Sequence, residues 1–308
     1  MDRVDFVGDI HGQFDAFLEI LDLLGYVFCN ECWSHPENRK LVILGDLIDR
    51  GTKNREVIRT VRSLVDQGVA VCLMGNHEFN AVLFHTSTEE GTFLRPHTAK
   101  NRKQHETFLN EFSECEDEWA SVIEWFASLP VAIETASFRA VHACWADEHL
   151  NCFRKEGLGW YMDSSSWVDA SRRQSEMDVA IEVLLKGPER ELPNRLHFFD
   201  KGNVKRSKAR LAWWRGNPKT WADAVDDSID VVELENIGWN DDSFHYSPDQ
   251  KPVFFGHYWR TGEPSSDAKN AYCLDYSAGN GGHLTAYRFE SRFSCLREGS
   301  IFQVSTNK

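Results

Sequence analysis

Apolar residues in the first third of the chain follow two alternating rhythms. Val4 to Val7 reads as a short strand, and Phe14, Phe17, Leu18, Leu21 and Leu24 recur at helical spacing up to Gly25. Leu41 to Leu44 is a second strand. Val57, Ile58, Val61 and Leu64 mark a second helix that ends near Gly68, and Val69 to Met74 is a third strand stopped by Gly75. This βαβαβ order predicts a mostly parallel sheet with helices packed on it. From Phe79 to Leu129 the pattern turns helical and polar, with Trp119, Ile123, Trp125 and Phe126 as the expected buried stripe. Val131 to Ile133 and Phe138 to Val141 suggest paired strands. The stretch from Asp147 to Tyr246 is irregular and rich in tryptophan, and strands return at Val253 to Phe255, Ala271 to Leu274 and His283 to Phe289. The pattern predicts one domain over residues 1–308, with a helical insert at about 79–130 and an irregular insert at about 147–250.

The chain has 308 residues and a net charge of −14, which argues against a general nucleic-acid binder. One stretch, Lys201 to Arg210, is locally basic and reads as a solvated turn or hairpin, or as a contact for an anionic substrate or partner. No window has the apolar length of a membrane span, and the N-terminus carries no signal-peptide core, so a cytoplasmic protein is expected. Eight cysteines without a regular framework suggest reduced, mostly buried thiols. Cys29-Asn30-Glu31-Cys32 with His35 lacks a second ligand pair nearby and reads as structural.

The chemistry sits at the strand ends. Val7 runs into Gly8-Asp9-Ile10-His11-Gly12, Leu44 into Gly45-Asp46-Leu47-Ile48-Asp49-Arg50-Gly51, and Met74 into Gly75-Asn76-His77-Glu78. Later, Val141 runs into His142 and Phe255-Gly256 into His257. Singly, each has an ordinary explanation: Asp46 could cap a helix, Asp49 could pair with Arg50, and a lone histidine is often a hydrogen-bonded core residue. Five apolar runs that all end in metal-ligand residue types, on strands expected side by side, point instead to a metal site.

Together GDIHG, GDLIDRG, GNHE, the later His and the final GH resemble the calcineurin-like metallophosphoesterases, and within them the phosphoprotein phosphatase group. The segment from Gly25 to Gly51 resembles bacterial diadenosine-tetraphosphatase-type enzymes and the phosphatase module of bacterial polynucleotide kinase-phosphatases. The resemblance implies an α/β (α+β sandwich) fold of two packed mixed sheets flanked by helices, with a dinuclear metal site at the strand ends. It implies that Asp9 and His11 hold one divalent ion, that Asp46 bridges, and that Asn76, His142 and His257 hold the other. Oxygen and imidazole donors without thiolates suit Mn, Fe, Zn or Ni alike. His77 would be the leaving-group acid, Asp49 its orienting partner, and Arg50 a phosphate clamp.

The pattern departs from relatives in two places. Ala143-Cys144-Trp145 follows His142 and Tyr258-Trp259 follows His257, so Trp145 and Trp259 are either core residues or stacking walls for a substrate ring. A second phosphate-binding arginine is not assigned by motif; Arg190, Arg206, Arg210 and Arg215 are candidates. His85, His97 and His105 are expected on the surface of the helical insert, and Gly279 to Gly282 as a turn. The leading reading is a Ser/Thr-phosphatase-like phosphoesterase that hydrolyses phosphate esters by direct attack of a metal-activated water, with a phosphoprotein or a nucleotide as its phosphorylated substrate. The alternatives are a hydrolase of dinucleoside polyphosphates or cyclic nucleotides, and a module that binds phosphorylated partners without turnover.

Overall fold

In the computed structural model, strand β1 (Arg3–Val7) pairs in parallel with β2 (Lys40–Ile43), and β2 in parallel with β3 (Ala70–Cys72). The structure describes residues 1, 3–88, 90–113, 115–199, 204–241, 243–265, 268–291 and 300–306. Helices α1 (Phe14–Leu24) and α2 (Asn54–Asp66) are the crossovers. Each buries the stripe its spacing predicts, except that Leu18 faces solvent. Gly25 closes α1 in a left-handed conformation, φ 84°.

Helices α3 (Asn76–His85), α4 (Ala99–Gln104), α5 (Glu106–Phe112) and α6 (Glu116–Ala127) form the helical insert. Trp125 and Phe126 are buried as expected, while Trp119 and Ile123 pack only partly against the core.

The chain then builds a second sheet from β4 (Ala132–Glu134), β5 (Arg139–Val141), β6 (Arg154–Glu156), β7 (Gly159–Tyr161), β8 (Val253–Phe255) and β9 (Ala271–Cys273). Their order is β9-β8-β5-β4-β7-β6, with β9, β8 and β5 mutually parallel. It returns to the first sheet with β10 (Asp275–Tyr276), β11 (His283–Glu290) and β12 (Ile301–Ser305), completing the order β10-β11-β1-β2-β3 with β12 on β11.

The period-two alternation assigns the faces. Val4, Phe6, Val42 and Leu44 pack across to Ile133, Ala140, Phe254 and Tyr272 of the second sheet, with Phe6 stacked on Phe254 at 3.7 Å. Val7, Leu41 and Ile43 turn the other way, onto α1 and α2. Each such buried side chain contributes about 1.5–3 kcal/mol. One buried pair broke the apolar pattern: Arg39, fully buried, donates through Nε to both oxygens of Asp5 at 3.0 and 2.9 Å.

The irregular insert holds helices Ser166–Ser171 and Glu176–Lys186 and a small core of Leu192, Ala209, Leu211, Val225 and Leu234. Of the basic stretch, Lys205–Arg206 and Lys208–Arg210 are short hairpin arms, while 201–203 lie outside the described residues. The seven described cysteines are free, but only Cys72, Cys144 and Cys273 are buried. Cys29 and Cys32 face each other in an exposed hairpin, and both ring nitrogens of His35 are engaged, by Leu24 O and Glu37 N. Among the described residues no helix is long and apolar enough to cross a membrane.

Candidate metal centre

Because β1, β2 and β3 are parallel neighbours, Asp9, Asp46 and Asn76 emerge from one edge of the first sheet. β5 and β8 are parallel neighbours in the second sheet and deliver His142 and His257 to the same place. The loops are laced together: Ile10 N and His11 N donate to Asp46 O at 3.0 and 2.9 Å, and Gly256 N to His142 O at 2.8 Å. Left-handed backbone concentrates here, at His11 (φ 48°), Asp46 (52°), Asp49 (68°), Arg50 (73°), His257 (73°) and Trp259 (48°). Each such non-glycine residue costs of the order of 1–3 kcal/mol and persists only where its surroundings enforce it.

Glu78, which sequence reasoning had not singled out, supplies much of that enforcement. Its carboxylate accepts from Asp46 N (2.8 Å), Leu47 N (2.8 Å) and Gly75 N (3.0 Å), tying the second and third strand ends together. Its signal in the sequence was an acid at the third position of a helix that starts at a strand end. Gly75 is required by space as well: a Cβ there would sit 2.2 Å from Asp46 Oδ1. The Gly279 turn, expected to be only a connection, closes against the site, where a Cβ would lie 2.6 Å from His11 Cδ2.

The imidazoles are set for ligation. His11 Nδ1–H donates to Ile48 O (2.9 Å) and His142 Nδ1–H to Leu44 O (2.7 Å), which leaves each Nε2 lone pair facing inward. His11 Nε2 and both ring nitrogens of His257 are buried without a protein partner. Two donor groups result, His11–Asp46–His77 and Asp46–His142–His257, the ligating atoms of each lying within 4.8 Å of one another. Asp46 is common to both, and Asn76 Oδ1 lies 3.2 Å from His142 Nε2. Asn76 and His77 therefore diverge: Asn76 turns to the His142 side, while His77 keeps its Nδ1 on Asp49 and holds its Nε2 4.0 Å from Asp46 Oδ2, farther out than a direct hydrogen bond. Asp9 is nearly fully buried and accepts the His257 N–H at 3.2–3.3 Å. Orphaned imidazole nitrogens around buried carboxylates fit divalent cations.

The electrostatics agree. Burial, then the charges of Asp275 and Asp46, push the Asp9 carboxyl well above the usual range. Burial also pushes Asp46 up, but His142, His77 and His11 outweigh it and hold that carboxyl well below.

Asp49 is shared by two imidazoles. His77 Nδ1–H donates to its Oδ2 at 2.6 Å and His105 Nδ1–H to its Oδ1 at 2.9 Å. Against the opposing effect of burial, Asp46 and then Asp49 raise the His77 pKa, while His105 and His77 hold the Asp49 carboxyl far below the usual range. His105 is 2% exposed, contrary to the expected surface position, because the insert folds back over the Asp49 loop. His85 and His97 are likewise half-buried rather than exposed; His97 stacks on Phe84 at 3.8 Å.

Arg50 is exposed and lies 5.0 Å from the ring centre of Trp259, whose ring is 6.2 Å from that of His11. Trp259 also lines a cavity of about 230 Å³ with Trp214, Asp226, Tyr258 and Arg260. Asp275 fixes Trp259 by accepting its backbone N–H at 2.7 Å. Trp145 is more deeply buried: it lies edge-on to Trp160, donates Nε1–H to Asp147 and lines a separate cavity of about 210 Å³ with Trp213, Phe244 and Tyr246. Of the four candidate arginines, Arg210 acts on one of the donors, His257. Its charge depresses the His257 pKa, secondary to burial, and its buried Nε has no partner. Arg190 is engaged by Asp241 and Ser243, and Arg215 by Asp227.

The family model described as calcineurin-like phosphoesterase matches residues 2–257. The chain is 51% identical over 73 residues to an asymmetrical bis(5'-nucleosyl)-tetraphosphatase from Anoxybacillus flavithermus, covering 24% of this chain and 30% of that protein. It is 31% identical over 137 residues to a symmetrical bis(5'-nucleosyl)-tetraphosphatase from Aromatoleum aromaticum, covering 44% of this chain and 42% of that protein. The chain thus spans less than half the length of these curated relatives. A solved structure provisionally described as a diadenosine tetraphosphatase aligns with 99% of this chain and 93% of its own, with a TM-score of 0.51 and 18% identity, a likeness of fold.

Proposed function

The chain belongs to the calcineurin-like phosphoesterases, and from that premise we propose that it is a metal-dependent phosphoric ester hydrolase that cleaves nucleotides of the dinucleoside polyphosphate class. One observation carries the reading. Trp259 sits beside the phosphate-clamp arginine, Arg50, at the rim of the donor groups, and opens onto a cavity of about 230 Å³ with two further aromatic walls. A nucleobase joined to a phosphate needs such a neighbour, whereas a phosphoserine side chain offers no ring to stack. The two curated relatives described above, named tetraphosphatases, favour this alternative over the protein-phosphatase reading.

In this reading Asp9, His11, Asp46, Asn76, His142 and His257 would hold two divalent cations, Asp46 being the donor common to both groups. Bound there, the cations would lower the pKa of an attacking water and offset phosphate charge. Arg50 and Arg210 grip the phosphate oxygens. His77, oriented by Asp49, gives its proton to the departing oxygen.

A hydrolysis panel with Mn present tests this, comparing diadenosine tetraphosphate, p-nitrophenyl phosphate, a phosphopeptide and a 2′,3′-cyclic nucleotide. The expected result is the highest kcat/KM on the dinucleotide. A phosphopeptide turned over best would restore the protein-phosphatase reading.

A further inference from the structure

We propose that His105, delivered by the helical insert, is a positioning residue for the leaving-group acid, acting through Asp49; this rests on the reading of His77 as that acid. The Asp49 carboxylate has two oxygens and spends one on each imidazole, Oδ2 on His77 and Oδ1 on His105. With the second bond in place the carboxylate plane cannot rotate about its Cβ–Cγ bond, so Oδ2 stays in line with His77 Nδ1. His105 is itself held, stacked on Phe108 at 4.6 Å and edge-on to Phe84 at 5.5 Å. The same helix grips the loop a second time. Glu111 accepts the backbone N–H groups of Asn54 and Arg55 at 3.1 and 2.9 Å, and Asn54 Oδ1 accepts Asp49 N at 2.7 Å. The α5 segment thus braces Asp49 from its side chain and from its backbone, while no atom of His105 joins either donor group.

The test uses His105→Phe, which keeps the ring stack and removes the donor, and His105→Asn, whose amide nitrogen takes the place of Nδ1. Both are assayed on p-nitrophenyl phosphate and on glycerol 2-phosphate, beside His77→Ala. The alkoxide of glycerol needs a proton to leave and p-nitrophenolate does not. His105→Phe should lower kcat on glycerol 2-phosphate about tenfold with KM and bound metal unchanged, lose much less on the aryl ester, and be largely rescued in His105→Asn. Equal losses on both esters, or no loss, would overturn the proposal; if His105→Phe does not fold, a His105→Asn no better than His105→Gln does the same. Should His77→Ala itself be indifferent to the leaving group, the reading of His77 fails instead, independently of His105.

Discussion

Replacing Trp259 with Leu separates two roles that the structure superimposes on one ring. The indole carries the Arg50 guanidinium at 5.0 Å and also lines the cavity beside it. Losing the cation–π contact costs roughly 0.5–1 kcal/mol at a partly exposed site. It loosens the clamp for every phosphate substrate alike, so KM should rise about two- to fivefold whatever the leaving group. Losing a stacking wall costs a further 1–3 kcal/mol or so per base, but only for substrates that carry one. At 1.36 kcal/mol per decade, diadenosine tetraphosphate should lose roughly 5- to 150-fold more in kcat/KM than glycerol 2-phosphate. Folding should suffer little, since Trp259 is half-buried and outside the main core clusters. Leucine adds no backbone strain that tryptophan did not already bear at φ 48°. Steady-state kinetics on both substrates, beside a thermal melt, reads the three quantities at once. Equal kcat/KM losses on the two substrates would refute the base-stacking role. A large fall in melting temperature would show that the ring is chiefly a packing element.

Asp46→Asn should lower the metal content below that of the wild type and reduce turnover at least 100-fold, since Asp46 is the donor common to both groups; full activity after exhaustive chelation would refute the metal mechanism. Arg210→Ala should cost about 10–100-fold in kcat/KM on every phosphate substrate, the range expected for one charged hydrogen bond; unchanged kinetics would return the second clamp to another arginine. Asp5→Ala takes the nearer carboxylate from the buried Arg39 guanidinium, leaving Glu290 at 3.8 Å, and should cost roughly 3–5 kcal/mol in urea unfolding, with normal kcat in the folded fraction; an unchanged midpoint would mean that Glu290 and the carbonyls of Val4 and Phe289 suffice to hold Arg39.

The sheet strands and the residues at their ends were readable because they are local. A βαβαβ rhythm, with a glycine and an acid or amide after each strand, specifies both a parallel sheet and the edge on which its chemistry gathers. The paired strands β4 and β5 and the late strands β8, β9 and β11 were legible from apolar runs alone. What escaped was long-range. His105 lies 56 residues from Asp49, and nothing in Gln104-His105-Glu106 marks a buried histidine. Arg39 precedes a strand and looks exposed until Asp5, 34 residues away, is seen facing it. Arg210, the proposed second clamp, could not be chosen from four arginines because the irregular insert has no periodicity to say which side chain turns inward. Trp145 and Trp259 read alike in sequence, and only packing separates them, one in the core and one at the rim.

The placement of these groups implies a division of labour. All six proposed metal ligands sit at ends of strands in the two sheets, where backbone pairing fixes them and where left-handed residues are held by Glu78 and the interlocking loops. The proposed acid, although it stands in one donor group with His11 and Asp46, is supported differently. His77 lies in the first turn of α3, but its orientation depends on Asp49, and Asp49 is held from α5, a seven-residue helix of the insert. A helix that short is not stable by itself; its position is set by packing on α2 and α6 and by Glu111 at the start of α2. Loosening the insert should therefore degrade protonation of the leaving group before it disturbs the metal donors. Substitutions at Phe108 or Glu111 are expected to steepen the dependence of kcat on leaving-group pKa while leaving bound metal near the wild-type level. If metal were instead lost in proportion to activity, the insert would be a support for the whole centre, and the separation between donors and acid would not hold.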